Sequence, residues 1–132
     1  MNIKSSQVLV EEAIKEIKTL SANQAKDLLE KAEITLIDVR DIRELWKDGT
    51  LKEAIHIPRG MLEFWLDPES SYYKEKKIGE TKHLVLFCAL GMRSALATKS
   101  LQDMGFKNVA HVDGGFEALK KTNIEVVDKE KK

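Results

Sequence analysis

The sequence predicts a single α/β domain whose central, mostly parallel β-sheet is covered by helices on both faces. Three observations support this class. Short apolar runs that fit strands alternate along the chain with segments of helical periodicity. The strand-like runs are nearly continuous, as in strands buried on both faces of a sheet. The length of 132 residues and the hydrophobic fraction of 42% fit one folded domain with a core of its own.

Two helices and one strand are predicted for the first part of the chain. Apolar residues between Leu9 and Ile17 follow helical spacing, and we expect this helix to pack on its own domain rather than pair with a second copy. Ser21 is placed as the N-cap of a second helix, whose apolar face holds Ala25, Leu28, Leu29 and Ala32. The nearly continuous apolar run 34–39 then predicts a buried strand.

Shorter helices and strands alternate through the rest of the chain. A helix over 42–47 ends at Gly49, and a brief strand over 54–57 ends at Pro58. The later elements are a strand over 84–87, a helix over 95–104 capped by Gly105, a strand over 109–112, a turn over 113–115 and a helix over 116–121 that ends near Asn123. These boundaries divide the chain into an N-terminal helix over 1–16, a domain over 17–124 and a charged, frayed tail over 125–132.

Composition and charge argue against several classes of function. The 22 basic and 22 acidic residues leave a net charge of zero, which gives no support to a nucleic-acid or membrane partner. The longest apolar runs are too short to span a bilayer, and the N-terminus lacks the apolar core of a signal peptide. One cysteine cannot form an internal disulfide, and no cysteine and histidine cluster has metal-ligand spacing. We therefore expect a cytoplasmic protein with no metal and no organic cofactor.

The single cysteine, Cys88, lies where a predicted strand ends and a helical pattern is about to begin. Gly91 and Arg93 follow it in a short loop. Backbone N–H groups, the positive end of a helix dipole and a nearby guanidinium all favour a thiolate at this position. The alternative is a buried structural thiol, which would be the favoured interpretation if the glycine, the arginine and the helix start were missing. The pattern therefore predicts a nucleophile.

The segment from Cys88 to Ser94 resembles the C-x-x-G-x-R-S active loop of the rhodanese family of sulfurtransferases at every fixed position. A second matching segment includes Asp38, Val39 and Arg40, followed by Glu44, Trp46 and Gly49. The turn over 113–115 also resembles the family's pattern. The similarity covers about 17–124 and identifies the chain as resembling a single-domain rhodanese. It departs from the pattern over 49–54, which lacks the usual histidine and second glycine, and at Leu119, where a tryptophan is usual.

This resemblance implies a reaction and a set of site residues. Cys88 would cycle between a thiolate and a persulfide, taking sulfur from a donor such as thiosulfate and passing it to a thiol or cyanide acceptor. The loop that would bind the transferred sulfur comprises Ala89, Leu90, Gly91, Met92, Arg93 and Ser94. Arg93 would attract an anionic donor or brace the loop, and Arg40 and Arg59 are further candidates for donor binding. Asp38 is expected to accept backbone or loop hydrogen bonds rather than to perform acid–base catalysis.

Several alternatives stay open at this point. Arg40 could instead form a surface ion pair with Glu44. The domain could be a persulfide carrier or a binding module in a protein sulfur relay. An apolar rim formed by Met61, Phe64 and Trp65 would favour this alternative. A cysteine phosphatase or arsenate reductase is disfavoured, because a C-x5-R loop would need its arginine where Ser94 stands.

The segment 58–78 would shape the substrate pocket if it reaches the rim of the site. The three histidines are expected to be ordinary strand or rim residues: His56, His83 and His111.

Overall fold

A five-stranded parallel sheet forms the centre of the protein. The structure, a computed structural model, describes residues 2–73 and 83–131. The strands of this sheet are Lys18–Leu20 (β1), Thr35–Asp38 (β2), Ile55–His56 (β4), Leu84–Phe87 (β5) and Val109–Val112 (β6). Their spatial order is β1-β6-β5-β2-β4, and every neighbouring pair is parallel. Thr50–Leu51 (β3) and Val126–Val127 (β7) form a separate antiparallel pair.

Six α-helices surround the sheet in the described part of the chain. They are Ser6–Glu16 (α1), Ala22–Glu30 (α2), Ile42–Asp48 (α3), Leu62–Leu66 (α4), Met92–Met104 (α5) and Gly115–Leu119 (α6), with 3-10 turns at Arg59–Met61 and Lys120–Thr122. Helices α1 and α4 pack against α5, whereas α2 packs against α6. No helix within residues 2–73 and 83–131 is long and apolar enough to cross a bilayer.

The hydrophobic core has two halves, one on each face of the sheet. Val85 and Phe87 of β5 face one half, which also contains buried residues of α2 and α6. Leu84 and Leu86 of the same strand face the other half, which contains buried residues of α4 and α5. Since successive side chains of a strand point to opposite faces, a strand buried on both faces has no polar alternation. This arrangement confirms the predicted α/β class and explains the continuous apolar runs.

Several predicted boundaries are confirmed, with shifts of one to three residues. Ser21 is the N-cap of α2: its hydroxyl accepts the N–H of Gln24 at 3.1 Å, and the Gln24 side chain accepts the N–H of Ser21 at 2.8 Å. Gly105 caps α5 in the left-handed conformation. Helix α5 begins at Met92 rather than at 95, so the loop after Cys88 is shorter than predicted.

Several short elements were not predicted, among them β1, α4 and the β3–β7 pair. Lys18–Leu20 is an edge strand in which two of the three residues are exposed, so it carries little apolar pattern. Leu62–Leu66 is a helix of five residues inside the long segment 58–78, of which 74–78 lie outside the described residues. The tail over 125–132 was expected to be frayed, but Val126 and Val127 pair with β3, which corrects that prediction for these two residues.

Candidate active site

The sulfur of Cys88 lies inside a cradle of hydrogen-bond donors at the carboxyl end of β5. The backbone N–H of Gly91 donates to Sγ at 3.1 Å and that of Ser94 at 3.4 Å. The Ser94 hydroxyl oxygen lies 3.5 Å from the same sulfur. Cys88 is buried, with 1% of its surface exposed. Converging N–H groups at the start of a helix stabilise negative charge on the atom they face, which here is the sulfur.

The loop takes this shape because of two glycines with positive φ. Gly91 (φ +112°) is the N-cap of α5 and turns the chain back so that its own N–H faces the sulfur. Gly115 (φ +53°) lies beneath the loop, where a Cβ atom would collide with the carbonyl oxygen of Cys88. The chain after Gly115 anchors the loop, because the N–H of Phe116 donates to the Cys88 carbonyl at 2.8 Å. The turn over 113–115 therefore supports the cradle from below.

A buried histidine stands behind Ser94. His111 Nδ1 lies 3.1 Å from the Ser94 hydroxyl oxygen, and Nε2 has no hydrogen-bond partner among the described residues. Burial lowers the pKa of His111, and the opposing influence of Asp113 does not offset it. His111 occupies a strand, as expected, yet its contact with the site was missed. The only sequence signal for that contact is a polar residue within the buried run 109–112.

Arg93 forms a bidentate ion pair instead of projecting freely from the loop. Its Nη1 and Nη2 atoms lie 2.7 and 2.9 Å from the two carboxylate oxygens of Glu44 on α3. The hydrogen bond that Arg93 donates to Glu44 is the main cause that raises the pKa of Arg93, with smaller contributions from Cys88 and Asp38. Of the two roles expected for Arg93, bracing the loop is therefore visible in the structure.

Arg40 is not at the rim, which corrects both interpretations of this residue. Only 1% of its surface is exposed, so neither a donor nor solvent reaches it. Its Nε and Nη2 atoms lie 2.9 and 2.7 Å from the carboxylate oxygens of Asp38, and Nη2 also donates to the Gly49 carbonyl at 2.9 Å. The guanidinium carbon lies 4.1 Å from the ring centroid of Phe116. Arg40 is a structural residue between the sheet, the C-terminal end of α3 and α6.

The carboxylate of Asp38 is the acceptor in each of its hydrogen bonds. Besides the guanidinium, it accepts the backbone N–H of Arg40 at 3.1 Å and the hydroxyl of Thr50 at 3.0 Å. Its side chain is fully buried. These contacts fit the expected role as an acceptor, and they join the end of β2 to the start of β3.

Arg59 forms an ion pair with Glu63, which lies four residues later in the chain. Its Nη1 atom lies 2.9 and 2.8 Å from the carboxylate oxygens of Glu63, which also accepts the hydroxyl of Ser100 on α5 at 2.6 Å. Burial acts to raise the pKa of Glu63, but the hydrogen bonds from Ser100 and Arg59 outweigh it and the pKa is lowered. No hydrogen bond or ion pair joins Arg59 to the Cys88 loop within the described residues, so its role in donor binding stays a prediction.

The exposed apolar side chains of the loop itself form its rim. Leu90 is 62% exposed and Met92 is 57% exposed. Of the residues expected at an apolar rim, Phe64 is exposed and contacts Tyr72 edge-on, whereas Trp65 packs against the core half formed by α4 and α5. Leu90 and Met92 therefore present exposed apolar surface in the same loop as the buried sulfur.

Comparison with known proteins shows which family this chain resembles. The model of the rhodanese-like domain family matches residues 21–122. Human thiosulfate:glutathione sulfurtransferase is 33% identical over 103 residues, which cover 74% of this chain and 89% of the human protein. The family model covers most of both core halves and the whole cradle.

Two solved structures are similar over most of their length. RPA3614 from Rhodopseudomonas palustris, described as a protein of unknown function and possible tyrosine phosphatase, superposes with a TM-score of 0.87 at 37% identity, covering 96% of this chain and 97% of its own. The polysulfide-sulfur transferase homodimer from Wolinella succinogenes superposes with a TM-score of 0.71 at 33% identity, covering 94% and 88%. Because the family model spans four of the five sheet strands, helices α2 to α6 and the cysteine loop, this chain belongs to the rhodanese-like domain family, which has sulfurtransferases among its members.

Proposed function

We propose that this protein is a sulfurtransferase that carries a sulfane sulfur as a persulfide on Cys88. The observation that carries this proposal is the cradle of Gly91 and Ser94 N–H groups around a single buried sulfur. Thiosulfate is the proposed donor, and a thiol or cyanide is the proposed acceptor. The protein needs no metal or organic cofactor for this reaction, because the cysteine itself holds the transferred atom.

The reaction balances without an external oxidant. The Cys88 thiolate attacks the outer sulfur of thiosulfate, the sulfur–sulfur bond of the donor breaks, and sulfite leaves with the electron pair. The product is an anionic persulfide, whose charge the loop N–H groups between Ala89 and Ser94 stabilise. An acceptor thiolate or cyanide then attacks the outer sulfur and restores the Cys88 thiolate. Two half-reactions of this kind predict ping-pong kinetics.

The choice of donor follows from charge and from the relatives. Arg93 is the cation of the loop and would attract a dianion such as thiosulfate, provided that its pair with Glu44 loosens. The human relative is named for thiosulfate and glutathione, and the Wolinella relative for polysulfide. Polysulfide is therefore the second donor to test.

Two other functions have some support. The exposed Leu90 and Met92 side chains favour a protein partner, which would make the domain a persulfide carrier in a relay. RPA3614 is described as a possible tyrosine phosphatase, which suggests phosphatase chemistry. Against the latter, only four residues separate Cys88 from Arg93, and a cradle of this length suits a single sulfur better than a phosphate group.

Intact-mass spectrometry tests the proposal directly. The purified protein is measured before thiosulfate, after thiosulfate and again after cyanide, with polysulfide as a parallel donor. We expect a gain of one sulfur atom that cyanide removes. Because Cys88 is the only cysteine, Cys88→Ser should show no gain while its melting temperature stays close to that of the wild type. The proposal fails if neither donor loads the wild type, and hydrolysis of an aryl phosphate that depends on Cys88 would favour the phosphatase.

A further inference from the structure

A buried chain of polar atoms leads away from the sulfur, and the sulfur transfer described above does not use its far end. Cys88 Sγ lies 3.5 Å from the Ser94 hydroxyl oxygen, which lies 3.1 Å from His111 Nδ1. The three residues are 1%, 0% and 2% exposed, respectively. Solvent therefore cannot supply hydrogen bonds in place of any member of this chain.

The hydroxyl of Ser94 can donate one hydrogen bond. Whether the Cys88 sulfur is protonated or anionic determines which neighbour receives that hydrogen bond. A thiolate or persulfide anion has no hydrogen and accepts only. Ser94 then donates to the sulfur, and its oxygen is free to accept a hydrogen from Nδ1 of His111. With the hydrogen on Nε2 instead, bare Nδ1 would compete for the Ser94 hydroxyl and leave an oxygen lone pair facing the sulfur anion.

Burial favours the first of these two arrangements. The pKa of His111 is lowered by burial, so the imidazole is neutral and carries one N–H. Nε2 has no partner in the described part of the chain, and a buried N–H without an acceptor is rarer in proteins than a bare acceptor. The flanking residues of the neighbouring strands, Thr19 and Leu86, do not ionise. The charged groups that act on the chain are Asp113 at its histidine end and Arg93 at its sulfur end.

We propose that His111 is a positioning residue: its Nδ1–H holds the Ser94 hydroxyl so that the hydroxyl donates to the anionic sulfur of Cys88. The sulfur then has three donors, the N–H of Gly91, the N–H of Ser94 and the hydroxyl of Ser94. This inference rests on the proposed function for its effect on the persulfide. Its effect on the thiolate is independent of any sulfur donor and is therefore tested separately.

The test measures how fast iodoacetamide alkylates Cys88 as a function of pH. Because there is only one cysteine, the reaction reports on this site alone. We expect His111→Leu to move the midpoint of the profile about one pH unit higher, as for one lost hydrogen bond to a charged group. His111→Asn, whose amide can donate from near the Nδ1 position, should restore most of the wild-type profile.

A double-mutant cycle separates positioning through Ser94 from a general structural effect. Ser94→Ala should produce a shift similar to that of His111→Leu, and the double variant should shift no further than Ser94→Ala alone. Additive shifts, or a wild-type profile for His111→Leu, would overturn the proposal. Urea unfolding of each variant checks that the alkylated cysteine belongs to folded protein.

The tautomer of His111 in the wild-type protein is a second test of the proposal, and this test requires no substitution at His111 or Ser94. Nitrogen-15 NMR distinguishes Nδ1–H from Nε2–H imidazole, and the variants His56→Gln and His83→Gln assign the remaining signal to His111. We expect the Nδ1–H form, and an Nε2–H form would overturn the proposal even if His111→Leu does not fold. A wild type that shows the expected tautomer and cycle but loads no sulfur would contradict only the proposed function.

Discussion

Arg93 and Glu44 join the cysteine loop to α3 through two parallel hydrogen bonds of 2.7 and 2.9 Å. The carboxylate is held in place a second time, because Glu44 also accepts the backbone N–H of Asp41 at 2.9 Å in the capping box of α3. A guanidinium that is already paired with a carboxylate attracts other anions less strongly. Glu44 therefore competes with any anionic donor for Arg93.

Glu44→Gln should strengthen donor capture. Glutamine keeps the capping box but removes the charge that neutralises Arg93, so we expect KM for thiosulfate to fall several-fold in steady-state sulfur transfer to cyanide. Asp103→Asn, which removes an exposed ion pair with Lys99 away from the loop, is the matched control and should leave KM unchanged. If KM rises or stays constant in Glu44→Gln, Arg93 braces the loop and does not bind the donor.

The same pair makes stability depend on pH. The hydrogen bond from Arg93 is the main cause that lowers the pKa of Glu44 from its ordinary value of 4.5. A carboxyl group whose pKa is lower in the folded state stabilises the fold above its unfolded value, and this contribution disappears as the pH falls through the folded value. The unfolding free energy of Glu44→Gln should therefore be lower than that of the wild type by about 1 kcal/mol or less at pH 7.

Urea unfolding at several pH values measures this difference. It should shrink as the pH drops below 4.5 and vanish once Glu44 is protonated in the folded wild type as well. A difference that stays constant down to the acid limit would show that the pair contributes nothing through its charge. In that event, contacts of the side chain at position 44 that do not depend on its charge account for the stability effect.

The sequence carried enough information for the loop but not for its surroundings. Cys88, Gly91 and Ser94 lie within seven consecutive positions at a strand-to-helix junction, so local pattern alone predicted a cradle around the sulfur. Arg40 was misplaced because two of its contacts, Gly49 and Phe116, come from later parts of the chain. An arginine that is buried by tertiary contacts looks the same in sequence as one on a surface.

Short strands were missed for a related reason. β3 and β7 have two residues each, which is too short for alternation to be recognised, and they are stabilised by pairing with each other. His111 shows the same limit at the site. Its strand was predicted, but its contact with Ser94 depends on how α5 packs on β6, which periodicity does not specify.

Arg40→Met should destabilise the fold without a direct effect on the donor. The substitution leaves the Asp38 carboxylate buried without its cation, and breaking a buried pair in this way costs about 3–5 kcal/mol. Arg43→Met is the matched control, because Arg43 pairs with Asp41 at the same spacing of two residues but is 79% exposed. We expect the control to change the unfolding free energy by less than about 1 kcal/mol.

The same two variants test whether Arg40 binds the donor after all. Protein that remains folded should retain the wild-type KM for thiosulfate in both variants, because the Arg40 guanidinium is buried. A rise in KM that is specific to Arg40→Met, in the range of urea where it is fully folded, would return Arg40 to the binding site.

Gly115→Ala should damage the cradle from beneath. The new Cβ atom would collide with the carbonyl oxygen of Cys88 and lie 2.8 Å from the carbonyl carbon of Ala89, so the loop backbone must move. That movement displaces the N–H donors from the sulfur, and the alkylation rate of Cys88 at pH 7 should fall several-fold. The substitution also places alanine at a φ of +53°, which costs about 1–2 kcal/mol in itself.

Two control glycines separate this collision from backbone strain. Gly105→Ala carries at least as much backbone strain, at a φ of +110°, but its Cβ atom meets nothing within 4 Å. Gly60→Ala meets nothing within 4 Å and has no positive φ. We expect Gly60→Ala to match the wild type, and Gly105→Ala to unfold at lower urea while keeping the wild-type alkylation rate. Of the three variants, only Gly115→Ala should lower both the stability to urea and the alkylation rate, since only there does the added methyl group meet the loop that holds the sulfur. Equal alkylation rates in Gly115→Ala and Gly105→Ala would mean that the cradle does not depend on the turn below it.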